Sequence, residues 1–298
     1  MERSLVKKLV AIAIALFVCM TLDSGARAEP LDALTLRQGD VRIVKVADGA
    51  KTSDLQGVIE MGGVSSAIPI FSKGGALYGI VAVDLYQQPG EYRMTVYETA
   101  TKRALSSKAL IVKQGEFQKS VSPRWNTQVF GQTDLDRIAR EKKEMADALH
   151  TSSSLPLWQD GTIYPIEKTD HTGLMTTPFG QIRVNPAQDW FRFHRGTDFQ
   201  APEGFPIWAI AAGRVAHLGH DYLLEGNITV IDHGLGIFSS YLHQSAFLVK
   251  VGDEVKKGEV IGRVGSTGNS NAPHLHLALR IGTALVDPTQ FIEALRGL

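Results

Sequence analysis

The sequence is nearly free of cysteine. Among 298 residues only Cys19 carries a thiol, and it lies in an apolar run near the N-terminus. The chain beyond that run can form no disulfide, no thiolate metal site and no cysteine nucleophile. A transition metal would have to be held by histidines and carboxylates. Net charge is also lacking, since 31 Lys and Arg balance 31 Asp and Glu. That argues against a nucleic-acid partner drawn in by a basic field. The apolar run from Leu9 to Met20 has 12 residues. As a helix it covers only about 18 Å of a bilayer core about 30 Å thick.

The flanks of that run give it another meaning. Arg3, Lys7 and Lys8 precede it, and Ala26-Arg27-Ala28 follows. This is the layout of a secretory signal peptide over residues 1–28, cleaved after Ala28. It implies a periplasmic or secreted protein with no stable membrane insertion after cleavage. Phe17-Val18 argue against processing as a lipoprotein at Cys19. Losing residues 1–28 leaves a net charge of −2.

The remaining chain reads as mainly β. Residues 29–115 suggest a small sandwich-like module. Val41 to Val46 shows much alternation, Gly79 to Leu85 is β-rich, Gln88-Pro89-Gly90-Glu91 is a turn, and Tyr92 to Tyr97 alternates again. The module shows no catalytic cluster and reads as a spacer or binding element. Residues 116–160 form a helical connector. Thr133 is placed to cap a helix whose Leu135, Ile138, Met145 and Leu149 fall near one face, with Arg137/Glu141 and Arg140/Glu144 four apart. Residues 161–298 are glycine-punctuated and β-rich, with expected strands at 207–211, 227–231 and 260–264. A closing helix runs from Phe291 to Arg296, capped by Asp287 with Pro288 in its first turn.

Seven of the nine histidines lie after residue 190. In Pro273-His274-Leu275-His276-Leu277 the leucines alternate with imidazoles. As a strand, this puts the leucines in a core and both histidines on the opposite face, about 6.5–7 Å apart. One could bind a metal while its neighbour meets a substrate. In His194-Arg195-Gly196-Thr197-Asp198 a turn at Gly196 could bring His194 and Asp198 together. Two ligands from one segment and a histidine from another make the three-ligand set of a catalytic zinc site with one open position. His150, His171, His217, His220 and His233 read as structural, His233 being the readiest exception.

The order of these motifs resembles the M23 family of zinc metallopeptidases, of the lysostaphin/LytM type, over residues 174–290. The resemblance rests on Met175 to Gly180, on His194 to Asp198 with Phe199 to Ala209 after it, on Asp232-His233-Gly234, and on Tyr241-Leu242-His243. Val251 to Val255, Gly265 to Gly268, His274-Leu275-His276 and Asp287-Pro288 complete it. It implies a C-terminal antiparallel β-rich peptidase domain over 161–298, preceded by the module and connector. By position it implies one Zn²⁺ per chain held by His194, Asp198 and His276, with His243 and His274 as catalytic histidines. The implied partner is peptidoglycan, cleaved at stem peptides or cross-links. Gln244 and Ala272 depart from the family pattern without touching a proposed ligand. A non-enzymatic hydrolase regulator or wall-binding protein of the same fold is the alternative, and a zinc peptidase acting on proteins is a third reading. Retention of all five residues favours the enzyme.

Overall fold

Strands dominate because apolar and polar residues alternate over short runs, the period of a pleated chain. The computed structural model describes residues 33–61, 64–123, 130–158 and 160–296. The expected signal peptide lies outside the described residues. Among those residues no helix is long and apolar enough to cross a membrane.

The first eight strands are β1 (Leu34–Arg37), β2 (Val41–Asp48), β3 (Leu55–Met61), β4 (Val64–Ile68), β5 (Ile70–Lys73), β6 (Ala76–Ala82), β7 (Gly90–Glu98) and β8 (Ala104–Lys113). They form a five-stranded sheet in the order β1-β8-β7-β3-β4 and a three-stranded sheet in the order β2-β6-β5. The two sheets enclose Leu36, Ile59, Val81, Val83, Leu110 and Val112. Strand β6 explains its own composition. Val81 faces this core, while Ile80 and Ala82 face the larger core of the C-terminal region. A strand buried on both faces reads as a continuous apolar run rather than an alternation.

The connector differs from expectation in two ways. It contributes a short strand, β9 (Lys119–Val121), and its helix α1 (Gln132–Ala148) begins before Thr133. Gly131, in an extended conformation, is the N-cap. The Asp134 carboxylate accepts from the Gly131 N–H at 3.2 Å, leaving Thr133 inside the first turn. Ile138 is buried while Leu135 is exposed. Glu141 is also buried and accepts from Arg137 Nε at 2.6 Å and from the Leu223 N–H at 2.9 Å. One charged face of the helix therefore clamps a hairpin rather than meeting only solvent.

The C-terminal strands are β10 (Met175–Thr177), β11 (Ile182–Asn185), β12 (Trp190–Phe193), β13 (Thr197–Gln200), β14 (Pro206–Trp208), β15 (Gly213–Tyr222), β16 (Gly226–Asp232), β17 (Ile237–Phe247), β18 (Glu254–Val255), β19 (Val260–Val264), β20 (His274–Ile281) and β21 (Ala284–Val286). Helix α2 (Pro288–Leu295) closes the chain. Ten strands make one sheet with the path β10-β13-β20-β17-β16-β15-β18; β14 and β19 pair with each other, β19 also with β17, and β21 with β20. A smaller sheet joins β12, β11 and β9, with β9 parallel to β11. Asp287 caps α2 through the Thr289 N–H at 2.8 Å, and Phe291, Ile292 and Leu295 enter the core.

The first strands and the C-terminal sheet share that core. Val41, Phe71 and Ile80 cluster with Trp158, Ile207, Leu277 and Phe291. Polar pairing reinforces the contact. The Leu85 N–H donates to the Leu285 carbonyl at 3.0 Å, and Gln290 Nε2 donates to Asp40 Oδ1 at 2.9 Å.

Candidate metal centre

Strand β20 lies between β13 and β17 inside the large sheet. Leu275, Leu277 and Leu279 on one face are fully buried. His274 and His276 therefore project from the other. On β13, Asp198 stands directly opposite His276 in the antiparallel register, so the two side chains share a face. His194 lies at the end of β12, just before the turn into β13. Gly196 in that turn must lack a side chain. A Cβ there would stand 2.4 Å from the Leu277 carbonyl oxygen and 2.5 Å from His276 Nε2, well inside van der Waals contact.

These elements bring three atoms to one point. His194 Nε2 lies 3.0 Å from Asp198 Oδ1 and 3.0 Å from His276 Nδ1, and His276 Nδ1 lies 2.8 Å from the same Oδ1. The tautomers are set from behind. His194 Nδ1 is 3.0 Å from the Pro178 carbonyl, which only accepts, so the proton sits on Nδ1 and Nε2 is a bare lone pair. That lone pair faces a carboxylate oxygen and a second ring nitrogen. A cation between the three satisfies all of them at once. Two imidazoles and one carboxylate form a nitrogen–oxygen donor set suited to a borderline ion such as zinc. Burial alone would raise the Asp198 carboxyl, yet the His194 and His276 imidazoles beside it hold it well below the usual carboxylate range. The His276 imidazole is pushed down by burial.

Two more imidazoles border the same space. His274 Nδ1 lies 2.8 Å from the Ala272 carbonyl, and its Nε2 is 3.7 Å from Asp198 Oδ1. His243 Nδ1 lies 2.8 Å from the Thr267 carbonyl. Both rings are held in the tautomer that presents a bare Nε2. Their centroids are 4.9 Å apart, and that of His243 is 6.1 Å from that of His276. His243 has φ 64, a left-handed conformation that costs a non-glycine residue about 1–3 kcal/mol. It sits where β17 breaks register, and its N–H is held by the Glu225 carbonyl at 3.0 Å. Burial, with the neighbouring histidines, pushes its imidazole down to about 3.

All five sequence-derived residues thus meet in one place. The other histidines do not join them. His233 is fully buried, with Nδ1 2.9 Å from the Ala212 carbonyl and Nε2 2.7 Å from Ser239 Oγ. His217 bonds Tyr222 Oη at 2.9 Å, and His220 stacks edge-on against Phe247. Gln244, one of the departures from the family pattern, is buried and donates to Thr229 Oγ1 and to the Tyr241 carbonyl, both at 2.8 Å. Arg183 was not legible in the sequence. Its Nη2 lies 3.4 Å from Asp198 Oδ2, on the carboxylate oxygen turned away from the histidines. Only the pairing of β11 with β12 brings it there.

Residues 192–288 match peptidase family M23. Through them the chain belongs to that family. The matched stretch holds His194, Asp198, His243, His274 and His276, whereas Arg183 precedes it. Similar proteins include the peptidoglycan DD-endopeptidase ShyC of Vibrio cholerae, 39% identical over 102 residues, or 34% of this chain and 23% of that one. The DD-carboxypeptidase/endopeptidase Mpg of Neisseria meningitidis is 42% identical over 114 residues, or 38% of this chain and 26% of its own. The chain thus spans about a quarter of the length of these relatives. A solved structure from Pseudomonas aeruginosa, assigned to peptidase M23, is similar over far more of the chain. It is 26% identical with a TM-score of 0.60, covering 90% of this chain and 96% of the other.

Proposed function

We propose that this M23 protein is an exported zinc metallo-endopeptidase that hydrolyses peptide bonds in peptidoglycan stem peptides or cross-links. The observation that carries the reading is the convergence of His194, Asp198 and His276 within 4.8 Å, with the bare Nε2 atoms of His243 and His274 beside them. The endopeptidase names of ShyC and Mpg support the substrate class.

His194 Nε2, Asp198 Oδ1 and His276 Nδ1 would hold the ion. Bound there, zinc would polarise a peptide carbonyl and lower the pKa of a water molecule towards about 7. The other roles fall to side chains. Arg183 occupies Asp198 Oδ2, so the carboxylate offers Oδ1 alone to the centre. The Pro178 carbonyl orients His194 in the same way. His274 and His243 enter neutral, because Ala272 and Thr267 fix their protons on Nδ1. One Nε2 takes the proton of the attacking water. Once protonated, that ring is a donor towards the developing oxyanion or the leaving amine.

Metal analysis of the purified mature chain should return about one zinc per molecule. Incubation with purified sacculi should release shortened cross-linked products. His276→Ala should lose both zinc and activity. Undiminished hydrolysis by that variant would overturn the ligand assignment.

A further inference from the structure

The hairpin of β11 and β12 forms one side of the centre. In its register Arg183 stands opposite Arg192. Directly opposed residues on an antiparallel pair have Cα atoms about 4.5–5.5 Å apart and project to the same face. Arg183 reaches Asp198 on that face, so Arg192 rises beside it, one strand further out. Like charges in opposition are destabilising in a hairpin. Here each guanidinium is depressed by burial first, then by a neighbouring arginine: Arg183 by Arg192, and Arg192 by Arg195.

The three cations differ in what already occupies them. Arg183 contacts Asp198. Arg195 donates from Nε to Tyr86 Oη at 3.1 Å and lies 5.8 Å from the centre of that ring. Arg192 forms no ion pair among the described residues. It feels the charge of Glu225, which lies on the β15–β16 hairpin turn, without an ion pair between the two. A repulsive arrangement of arginines beside an open centre is one that an anionic group from outside would relieve. A planar guanidinium suits a carboxylate in particular, because its paired N–H groups match both oxygens.

We infer that Arg192, seconded by Arg183, binds a free carboxylate of the substrate close to the cleaved bond. An extended peptide advances about 3.3 Å per residue. The carboxylate belongs to a residue near the bond in sequence, and a peptide amidated there is a poorer substrate. This rests on the hydrolase reading above and deepens it.

The test uses two cross-linked peptides that differ only in whether that carboxylate is free or amidated. Arg192→Ala should raise KM for the free acid by about tenfold or more, as for a lost charge-assisted hydrogen bond, and leave kcat within about twofold. For the amidated peptide the variant should match wild type. Arg192→Lys should recover part of the loss. Glu225→Gln, which removes a competing negative charge near Arg192, should lower KM for the free acid rather than raise it, which separates substrate binding from a mere pairing of Arg192 with Glu225. Equal KM values for both peptides, with no response to Arg192→Ala, would overturn the inference. Calorimetric binding of the free-acid peptide reads the same contact without turnover. A protein that cleaves neither peptide, yet binds the free acid about tenfold more weakly as Arg192→Ala, would sink the hydrolase reading and leave this one standing.

Discussion

Strands β7 and β20 both run inside their sheets, with partners on either side. On β7 the outward residues include Glu91 and Arg93, which stand exposed. On β20 the outward residues are His274 and His276, half-buried and faced by Asp198, His194 and His243. A polar side chain on an open sheet face is satisfied by water and carries no further information. The same side chain in a crowded recess must find partners or it destabilises the fold. At β20 the Asp198 oxygen and the bare Nε2 of His194 face each other, an arrangement that a cation between them would satisfy. Chemistry is read from this difference and not from the presence of histidine.

The sharpest way to break the comparison is to remove the two outward imidazoles of β20 separately. His274→Ala should keep most of its zinc and lose about 10²- to 10⁴-fold in kcat/KM, the range for a general acid–base group. His276→Ala should lose the metal as well. Arg93→Ala on β7 should change neither. Equal zinc loss in the two histidine variants would show that the division between ligand and catalyst is misplaced.

A second test asks whether the two regions are independent. Phe71 is nearly buried, packs edge-on to Trp158 at 4.7 Å between ring centres and stacks on Tyr78 at 5.7 Å. Phe71→Ala should cost about 3–5 kcal/mol in urea unfolding. Because Phe71 shares its core with Leu277 and Phe291, the loss should appear in one transition that also carries the His194–Asp198–His276 centre. Two separated transitions, with only the first shifted, would mean that the N-terminal strands unfold by themselves.

The sequence revealed some of this for a physical reason and hid the rest for another. Alternation at 274–279 and 92–97 translates directly into strand faces, and the Asp287-Pro288 pair marks a helix start wherever it stands, so β20, β7 and α2 were legible. The union of His194, Asp198 and His276 could be anticipated because a glycine turn and an alternating strand each offer ligands. Pairing between distant segments leaves no such local trace. The parallel contact of β9 with β11, the reach of Arg183 to Asp198 and the burial of Glu141 under the β15–β16 hairpin all depend on it. Thr133 misled because a hydroxyl is a common cap, whereas Gly131 with Asp134 solves the same problem two residues earlier.

His233 sharpens the contrast from within the C-terminal region, as a buried histidine with no part in the centre. Its Nδ1–H serves the Ala212 carbonyl, and Nε2 accepts from the Ser239 hydroxyl. Full burial pushes it from 6.5 down to about 4. The folded protein therefore resists protonation at a pH where the unfolded chain accepts it. The stabilisation is complete above about pH 6.5 and is lost as pH falls towards about 4, a change of about 2–3 kcal/mol. Urea midpoints of wild type and His233→Asn across this window isolate the effect, since the contributions of His243 and His276 cancel in the difference. The variant should be less stable at pH 7 and should show the shallower decline, so the curves converge on acidification. Parallel curves would mean that His233 titrates alike in the folded and unfolded protein, and the buried neutral ring assigned here would have to be abandoned.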